Sequence, residues 1–385
     1  MSPDLELCMT VGESADRLLS AQVFMAGGGA ALTSRNITKE LYEAARKVHG
    51  EPLTSLAAKI LINSVKPRDT VILSSGFFDP PSMIAEADGP IGAALLGRAL
   101  CAMLDATPVF LTEVANIGHM TALAHAAGLE VLTDLELART TPYKTVIIPL
   151  PIDPARAQRE AIAQLDRVGP AAFIAIEKPS PCPKGRYHTG RGLDVTDVVG
   201  KIDHIVNEAR RRGIPTIGLG DGGNEVGMGS ILETIQEVIP TGKIIGTPLQ
   251  TDLLVVAAIA NWGAYGIEAC LAAALHAPDA MHSLADERRV IDAAVKTGLI
   301  DPSTGIANGW VDGTPPICSE SILALLRQMV ELRLAKRAPH SPLNFPKRWA
   351  ERSNPDEVIA VWAKKLMEDE NRLFANTSGF LHRTR

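Results

Sequence analysis

Two acidic residues and an asparagine stand together in one short glycine-rich segment of this chain, Asp221-Gly222-Gly223-Asn224-Glu225. An N-cap uses a single side chain of this kind, so the density exceeds what capping needs. The backbone N–H groups of such a turn can hold a carboxylate, and Asp221 with Glu225 can hold a cation. We therefore predict that these five residues belong to a functional site.

Other acidic residues follow other apolar segments. They are Glu86 and Asp88, then Glu113, Glu177 and Asp252. Ligands of open parallel sheets bind outside the carboxyl ends of the strands, so we expect these acids to meet at one edge of a sheet. For Asp88 and Glu113, capping of the next helix is an equal alternative.

The elements that must position these residues are short strands alternating with helices. Six apolar segments predict strands: Val71–Leu73, Val109–Leu111, Val146–Ile148, Phe173–Ile176, Thr216–Leu219 and Ile244–Ile245. Strands that are apolar on both faces are typical of a parallel sheet covered by helices. We predict an α/β fold with a mostly parallel sheet of about six or more strands, helices on both faces, and helical N- and C-terminal extensions.

Three regions are expected along the chain. Residues 1–66 form an N-terminal helical segment packed on the main domain, residues 67–276 the α/β catalytic core, and residues 277–385 a C-terminal helical extension. The apolar run from Leu253 to Leu275 approaches the length of a membrane span. Because it contains Asn261, Trp262 and Glu268, we predict one buried central helix instead.

Composition excludes several classes of protein. The 385 residues include 38 Lys+Arg and 44 Asp+Glu, so the net charge of -6 provides no positive field for nucleic acid. Five scattered cysteines argue against a disulfide framework. The first ten residues lack a basic side chain, unlike a targeting peptide. We expect a cytoplasmic protein with a small-molecule substrate and no membrane partner, and a homo-oligomer stays open.

Gly218, Gly220 and Gly223 match the G-x-G-x-x-G pattern of dinucleotide-binding loops. The acidic residues of the same turn would repel a pyrophosphate, and the next predicted strand leads into Thr247-Pro248 rather than to an acid. We therefore expect no nucleotide. A nucleotide-dependent enzyme using this loop, and a non-catalytic amino-acid-binding protein, are the two alternatives.

Several segments together resemble a known family. They are Ser75–Phe78, Glu86–Ala93, Phe173–Pro179, Gly185–Tyr187 with Arg191-Gly192, Gly218–Gly229 and Asn261–Tyr265. In this order they are similar to the signature segments of the D-glutamate cyclase C-terminal domain family, from about Pro52 to Leu326. Ser75 replaces the usual Thr, and Ala264 a usual Gly. The chain resembles a stand-alone member, without the N-terminal domain of the longer animal cyclases.

The resemblance implies a lyase, a dehydrating cyclase that converts D-glutamate or a closely related amino acid to 5-oxo-D-proline and water. Such chemistry needs a base near the amine and positive charge near the carboxylate. The candidate catalytic residues are Glu177, Lys178, Asp221, Glu225 and Asp252, with Glu177 or Asp252 as the base. Glu86 or Asp88 would join Asp221 and Glu225 in an oxygen-rich site for the substrate ammonium or for a divalent cation, Mn²⁺ or Mg²⁺.

The same hypothesis assigns residues to substrate binding. Lys178, Arg186 or Arg191 would neutralise a substrate carboxylate. The candidate substrate-binding residues are Gly76, Phe77, Arg186, Arg191, Gly222, Gly223, Asn224, Asn261 and Trp262. For Asn261 and Trp262, a structural network is an equal alternative, because buried polar groups need hydrogen-bond partners.

Overall fold

The computed structural model describes residues 2–23, 37–80, 83–335 and 354–378. The chain divides into two compact units, residues 1–333 and residues 334–385. Residues 277–333, assigned to the helical extension by sequence, belong to the same unit as the sheet. The part of the predicted N-terminal helical segment at residues 24–36 lies outside the described residues.

A parallel sheet forms the centre of the first unit, which confirms the predicted fold class. Within the described residues it has seven strands, in the order β5-β6-β4-β1-β7-β8-β9. These are β1 Thr70–Ser75, β4 Thr107–Thr112, β5 Glu130–Leu132, β6 Lys144–Pro149, β7 Pro170–Ile176, β8 Thr216–Gly220 and β9 Leu253–Val256. Two shorter strands, β2 Phe78–Asp79 and β3 Ile84–Ala85, form a separate antiparallel pair.

Helices cover both faces of this sheet. They are α1 Leu5–Leu19, α2 Ile37–His49, α3 Leu53–Ser64, α4 Pro90–Leu104, α5 Ile117–Ala126, α6 Leu135–Thr140, α7 Pro154–Val168, α8 Ile202–Arg211, α9 Leu232–Val238, α10 Gly242–Ile245, α11 Ala260–Leu275, α12 Leu284–Thr297 and α13 Pro316–Leu334. Ile72, Val109 and Phe173 pack with apolar residues of α6, α7 and α8. Because side chains alternate along a strand, Val71 and Leu73 point to the other face, where α4 packs.

The sequence misplaced the last strand. Ile244 and Ile245 belong to the short helix α10, and the strand beside β8 is Leu253–Val256, from the run predicted to be a single helix. The remainder of that run is α11, which is buried along almost its entire length, as predicted. An apolar run bounded by no turn residue does not by itself distinguish a buried strand from a buried helix.

A buried carboxylate connects the three N-terminal helices. Asp16 of α1 is 2% exposed and accepts hydrogen bonds from Leu53 N at 2.6 Å and from Thr54 N at 3.2 Å. The Thr54 and Tyr42 hydroxyls donate to the same carboxylate, at 2.5 and 3.1 Å. The N–H groups at the start of α3 have no partner within their own helix, and here their acceptor is a side chain of α1. A single side chain therefore joins α1, α2 and α3.

The second unit is described by one helix, α14 Pro355–Ser378. Ile359, Trp362 and Leu366 are exposed on it. In the described part of the chain, no helix combines the length and apolar character needed to cross a bilayer.

We predict that Asp16→Ala lowers the free energy of unfolding by about 2–4 kcal/mol, because it leaves buried N–H and hydroxyl donors without an acceptor. Urea denaturation followed by circular dichroism measures this change. Asp153→Ala is the matched control: Asp153 caps the exposed start of α7 through Arg156 N, and its loss should cost about 1 kcal/mol or less. Equal effects of the two substitutions would contradict the role of Asp16.

Candidate functional site

A cleft of about 660 Å³, partly open to solvent, lies at the carboxyl edge of the sheet. Its walls come from the loops that follow β1, β7 and β8 and from the loop between α12 and α13. Five acidic residues line it: Glu86, Glu177, Asp221, Glu225 and Asp312. Four of the acids that we expected at one edge of the sheet therefore lie together, although they are distant in sequence: Glu86, Glu177, Asp221 and Glu225. We call this cavity the acid cleft.

Three carboxylates meet at the base of the acid cleft. Asp88, Glu177 and Asp221 each place one oxygen within 4.8 Å of the other two, and all three are buried. Glu177 Oε2 and Asp221 Oδ2 have no hydrogen-bond partner. Buried polar atoms are normally hydrogen-bonded, so we infer that these two oxygens contact a bound ligand rather than another protein group. An oxygen-only set of this kind suits an ammonium group or a hard divalent cation.

Burial raises the pKa of each of these carboxyl groups. It raises the pKa of Asp88 to about 6, against the opposing effect of the backbone N–H groups that bond it. The pKa of Glu177 lies well above its usual value because of burial and then the charges of Glu225 and Asp221. Burial and the charge of Asp312 do the same to the pKa of Asp221. The cleft therefore favours bound protons or bound positive charge.

Glu177 is held there by a constrained backbone. It follows β7 directly and has φ of 45°, in the left-handed region that residues with a side chain rarely adopt. Such strain is found at functional sites more often than elsewhere. Gly89 leaves room for this turn, because a Cβ on it would lie 2.8 Å from Glu177 Cβ and 2.5 Å from Ser75 Oγ.

Asp88 and Asn261 cap each other's helices. The Asp88 carboxylate accepts hydrogen bonds from Ala260 N and Asn261 N, both at 2.8 Å, at the start of α11. The Asn261 side-chain oxygen accepts from Gly89 N at 2.9 Å and Gly92 N at 2.6 Å, at the start of α4. Asp88 therefore caps α11 and not the helix that follows it in the chain, as the capping alternative had expected, and it also remains in the carboxylate cluster. Asn261 is a structural residue that does not line the acid cleft.

The glycine-rich turn is folded around its own carboxylate. Glu225 accepts hydrogen bonds from Gly222 N and Gly223 N, both at 2.7 Å. Those amides would be needed to bind a phosphate in a dinucleotide loop, and here they are already used. Gly220 makes space for the carboxylate, since a Cβ on it would lie 2.9 Å from Glu225 Cβ. This geometry opposes the nucleotide alternative.

Asp312 is the acid that sequence reasoning missed. It lines the acid cleft with Asp221, and its charge, after burial, helps to raise the pKa of Asp221. Asp301 shapes its loop by accepting from Gly313 N at 2.8 Å and Thr304 N at 3.0 Å. The loop follows a helix rather than a strand, so a search restricted to strand ends could not find it. Its Asp-Pro and Asp-Gly pairs were the available signal, and they indicate only turns.

Lys178 is not available to a substrate. Its side chain is fully buried, and its Nζ donates to both Glu113 oxygens at 2.6 and 2.7 Å and to Gly76 O at 2.8 Å. Glu113 also accepts from Gly200 N at 2.7 Å. The prediction that Lys178 neutralises a substrate carboxylate is therefore wrong. The pair instead joins the loops after β1, β4 and β7 behind the acid cleft.

The two candidate arginines have different positions. Arg191 lines the acid cleft, where its Nη2 donates to Pro302 O at 2.9 Å. Arg186 is exposed, pairs with Asp194 and is not among the described residues that line the cleft. Of the other predicted contacts, Phe77, Gly222 and Asn224 line the cleft. Asn224 Nδ2 also donates to His188 O at 2.7 Å.

Four further predicted site residues do not line the acid cleft. Asp252 precedes β9, at the amino edge of the sheet, where it accepts from Thr216 N at 2.8 Å. It was misplaced because the sixth strand was misplaced. Trp262 is buried in α11 and donates to Ser319 Oγ at 2.9 Å. Gly76 contributes its carbonyl to Lys178 and lines a smaller cavity, and Gly223 does not line the cleft.

Comparison with known proteins identifies the family of the chain. Residues 28–327 match the model of the D-glutamate cyclase-like, C-terminal family. The chain belongs to this family. All residues of the acid cleft fall inside the matched range. The human protein named D-glutamate cyclase, mitochondrial, is 27% identical to this D-glutamate cyclase-like chain over an alignment of 280 residues. The match covers 64% of the chain and 43% of the relative. The chain thus spans less than half the length of that relative.

We predict that Lys178→Met lowers the free energy of unfolding by about 3–5 kcal/mol, because it leaves the buried Glu113 carboxylate without its cation. Lys178→Met with Glu113→Gln should recover part of this loss. Urea denaturation of the single and double variants measures both effects. Lys184→Met, at an exposed lysine, serves as the control. A single variant as stable as the native protein would mean that the pair is not structural.

Proposed function

We propose that the acid cleft of this D-glutamate cyclase-like chain cyclises D-glutamate, or a closely related amino acid, to 5-oxo-D-proline with loss of water. The observation that carries the proposal is the pair of buried, unpartnered oxygens on Glu177 and Asp221, beside Asp88. The name of the human relative, D-glutamate cyclase, supports the choice of substrate. A cleft rich in acids is suited to the ammonium group that such a substrate carries.

The proton balance of this reaction needs a group that both takes and returns protons. The substrate nitrogen begins as an ammonium group and ends as an amide with one hydrogen, so it loses two protons. The C–N bond forms as a C–O bond of the γ-carboxyl breaks, and the departing oxygen needs two protons to leave as water. Glu177 is our candidate carrier, because its raised pKa favours the protonated form more than an ordinary glutamate does.

Arg191 is our candidate ligand for the substrate α-carboxylate. Among the described residues that line the acid cleft, it has the only cationic side chain. A guanidinium group can bind a carboxylate with two parallel hydrogen bonds, which fixes orientation as well as charge. With the amine drawn toward Glu177 and Asp221, this contact would determine which side of the substrate faces the cluster.

A divalent cation fits the same cluster. Mn²⁺ and Mg²⁺ prefer oxygen ligands, and Asp88, Glu177 and Asp221 supply three carboxylates within reach of one another. We propose that Glu177 Oε2 and Asp221 Oδ2 would hold it. When bound, such an ion polarises a carboxylate and offsets the charge of the acids.

Incubation of the full chain with D-glutamate should remove primary amine and yield 5-oxo-D-proline. The reaction should be faster with Mn²⁺ or Mg²⁺ than with a chelator, because the γ-carboxylate is a poor electrophile. Amine derivatisation and chiral chromatography follow substrate and product, and L-glutamate and protein-free samples are the controls. Binding of D-glutamate without any amine loss would instead favour the amino-acid-binding alternative.

Glu177→Gln should reduce turnover by about 10²- to 10⁴-fold, the usual contribution of a positioned acid or base. The same substitution should raise the free energy of unfolding at neutral pH, in chelator, by on the order of 1 kcal/mol or more. A carboxyl whose pKa is raised by folding stabilises the protein below about pH 4, and this contribution is lost as the pH rises through the folded pKa. The native protein should therefore lose more stability than the variant between pH 4 and 8.

Urea denaturation at several pH values, together with the amine assay, tests both parts of this prediction. Glu233→Gln removes an exposed carboxylate of α9 and should change neither property appreciably. If the Glu177→Gln protein is less stable than the native one at neutral pH, burial and charge repulsion do not destabilise Glu177 in the folded protein. Unchanged turnover would remove Glu177 from the mechanism.

A further inference from the structure

A small second cavity lies behind the wall of the acid cleft. It is bounded by the end of β1, by the loop after β4 and by the first turn of α5. Its polar lining comes from Ser75, Thr112, Asn116 and His119, and its remaining lining is Gly76 with the apolar residues Ala85, Pro90, Met120 and Leu299. It has room for about one water molecule.

Three buried polar atoms of this cavity have no partner. They are Ser75 Oγ, Asn116 Oδ1 and His119 Nδ1. Ser75 is 3% exposed and Asn116 is 4% exposed, so bulk solvent does not satisfy them. Leaving one such group unpaired costs about 1–3 kcal/mol, and three in one small space would be unusual in a stable protein.

The other groups that line the cavity already have partners. Thr112 Oγ1 donates to Ser75 O at 2.9 Å. Asn116 Nδ2 donates to Glu113 Oε2 at 3.4 Å, which leaves the amide oxygen to face elsewhere. Burial lowers the pKa of His119 and so favours the neutral imidazole, in which one ring nitrogen accepts a hydrogen bond.

The unpaired groups match the capacity of a single water. A water molecule donates two hydrogen bonds and accepts others, and buried waters make about three. The Asn116 oxygen and the His119 nitrogen are two acceptors, and the Ser75 hydroxyl supplies a donor. One molecule that reaches all three atoms would satisfy every unpartnered atom of the cavity.

We propose that this cavity binds one ordered water, which bridges β1 to α5 through Ser75, Asn116 and His119. The bridge fixes the turn that carries Phe77 into the acid cleft and Gly76 O to Lys178. Gly76 shows how closely this turn approaches the loop, since a Cβ on it would lie 2.8 Å from Asn116 Nδ2. The inference concerns the support of the cleft and does not rest on the proposed function.

A crystal structure of the full chain, at a resolution that orders waters, tests the occupant directly. We expect one peak within hydrogen-bond distance of all three atoms, with the scattering and distances of water. An empty cavity would overturn the proposal. A peak that changes in height when potassium replaces sodium in the buffer would do so as well, because it would identify a bound cation.

Ser75→Thr and Ser75→Val test the bridge in solution. The two side chains have nearly the same shape, and only threonine keeps the hydroxyl. We expect the unfolding equilibrium constant of Ser75→Val to exceed that of Ser75→Thr by about fivefold to tenfold, because valine leaves the water without one partner. Thr121→Val, which removes a hydroxyl that bonds only within α5, is the control and should change the constant by less than about twofold.

Equal unfolding constants for Ser75→Thr and Ser75→Val would contradict the bridge. If neither variant folds, the native crystal structure still decides whether the water is present. The enzymatic assay is independent of both measurements, so failure of the cyclase proposal and failure of this one are distinguishable.

Discussion

Like charges confined in a buried cleft repel one another, and this constraint governs the carboxyl edge of the sheet. Glu86, Glu177, Asp221, Glu225 and Asp312 share one cavity, with Asp88 at its base. Low polarisability of the surroundings strengthens the repulsion and raises the pKa of Glu177, Asp221 and Asp312. A fold that keeps such a cluster must hold the carboxyl groups in place with other interactions, such as hydrogen bonds, that oppose the repulsion.

Backbone N–H groups do much of the holding. Asp88 bonds the start of α11, and Glu225 bonds two amides of its own turn. Asn261 caps α4 in turn, so the starts of α4 and α11 are fixed against each other. The acids that remain unsatisfied, Glu177 and Asp221, are then the ones open to chemistry. Hydrogen bonding, rather than residue type, separates the structural carboxylates from those that we propose to react.

The buried pair of Lys178 and Glu113 belongs to this support. Lys178 stands directly after Glu177, but Glu177 lines the cleft whereas Lys178 is paired with Glu113. One side chain therefore enters the cleft and the next enters the layer behind it. The positive φ of Glu177 lies at this change of direction. A charge placed next to a catalytic candidate in sequence can thus be remote from it in function.

Membership in the D-glutamate cyclase-like family accounts for why these motifs occur in this order. The human relative is 27% identical and the chain spans 43% of its length, so the proposed reaction rests on the site as much as on this similarity. The geometry of the acid cleft favours an ammonium group or a cation and disfavours a pyrophosphate. Arg191 lines the same cleft and is the contact that we propose for one substrate carboxylate.

The amino-acid pattern alone predicts the α/β class, five of the seven strands that the structure describes in the sheet, and the clustering of Glu86, Glu177, Asp221 and Glu225. It does so because parallel strands are short and apolar, and because their carboxyl ends share one edge. Tertiary packing was needed to make Leu253–Val256 a strand, which moves Asp252 to the opposite edge. It alone brought in Asp312 and withdrew Lys178 into an ion pair. These outcomes depend on which loops pack together and which way each side chain points, and local spacing along the chain contains neither.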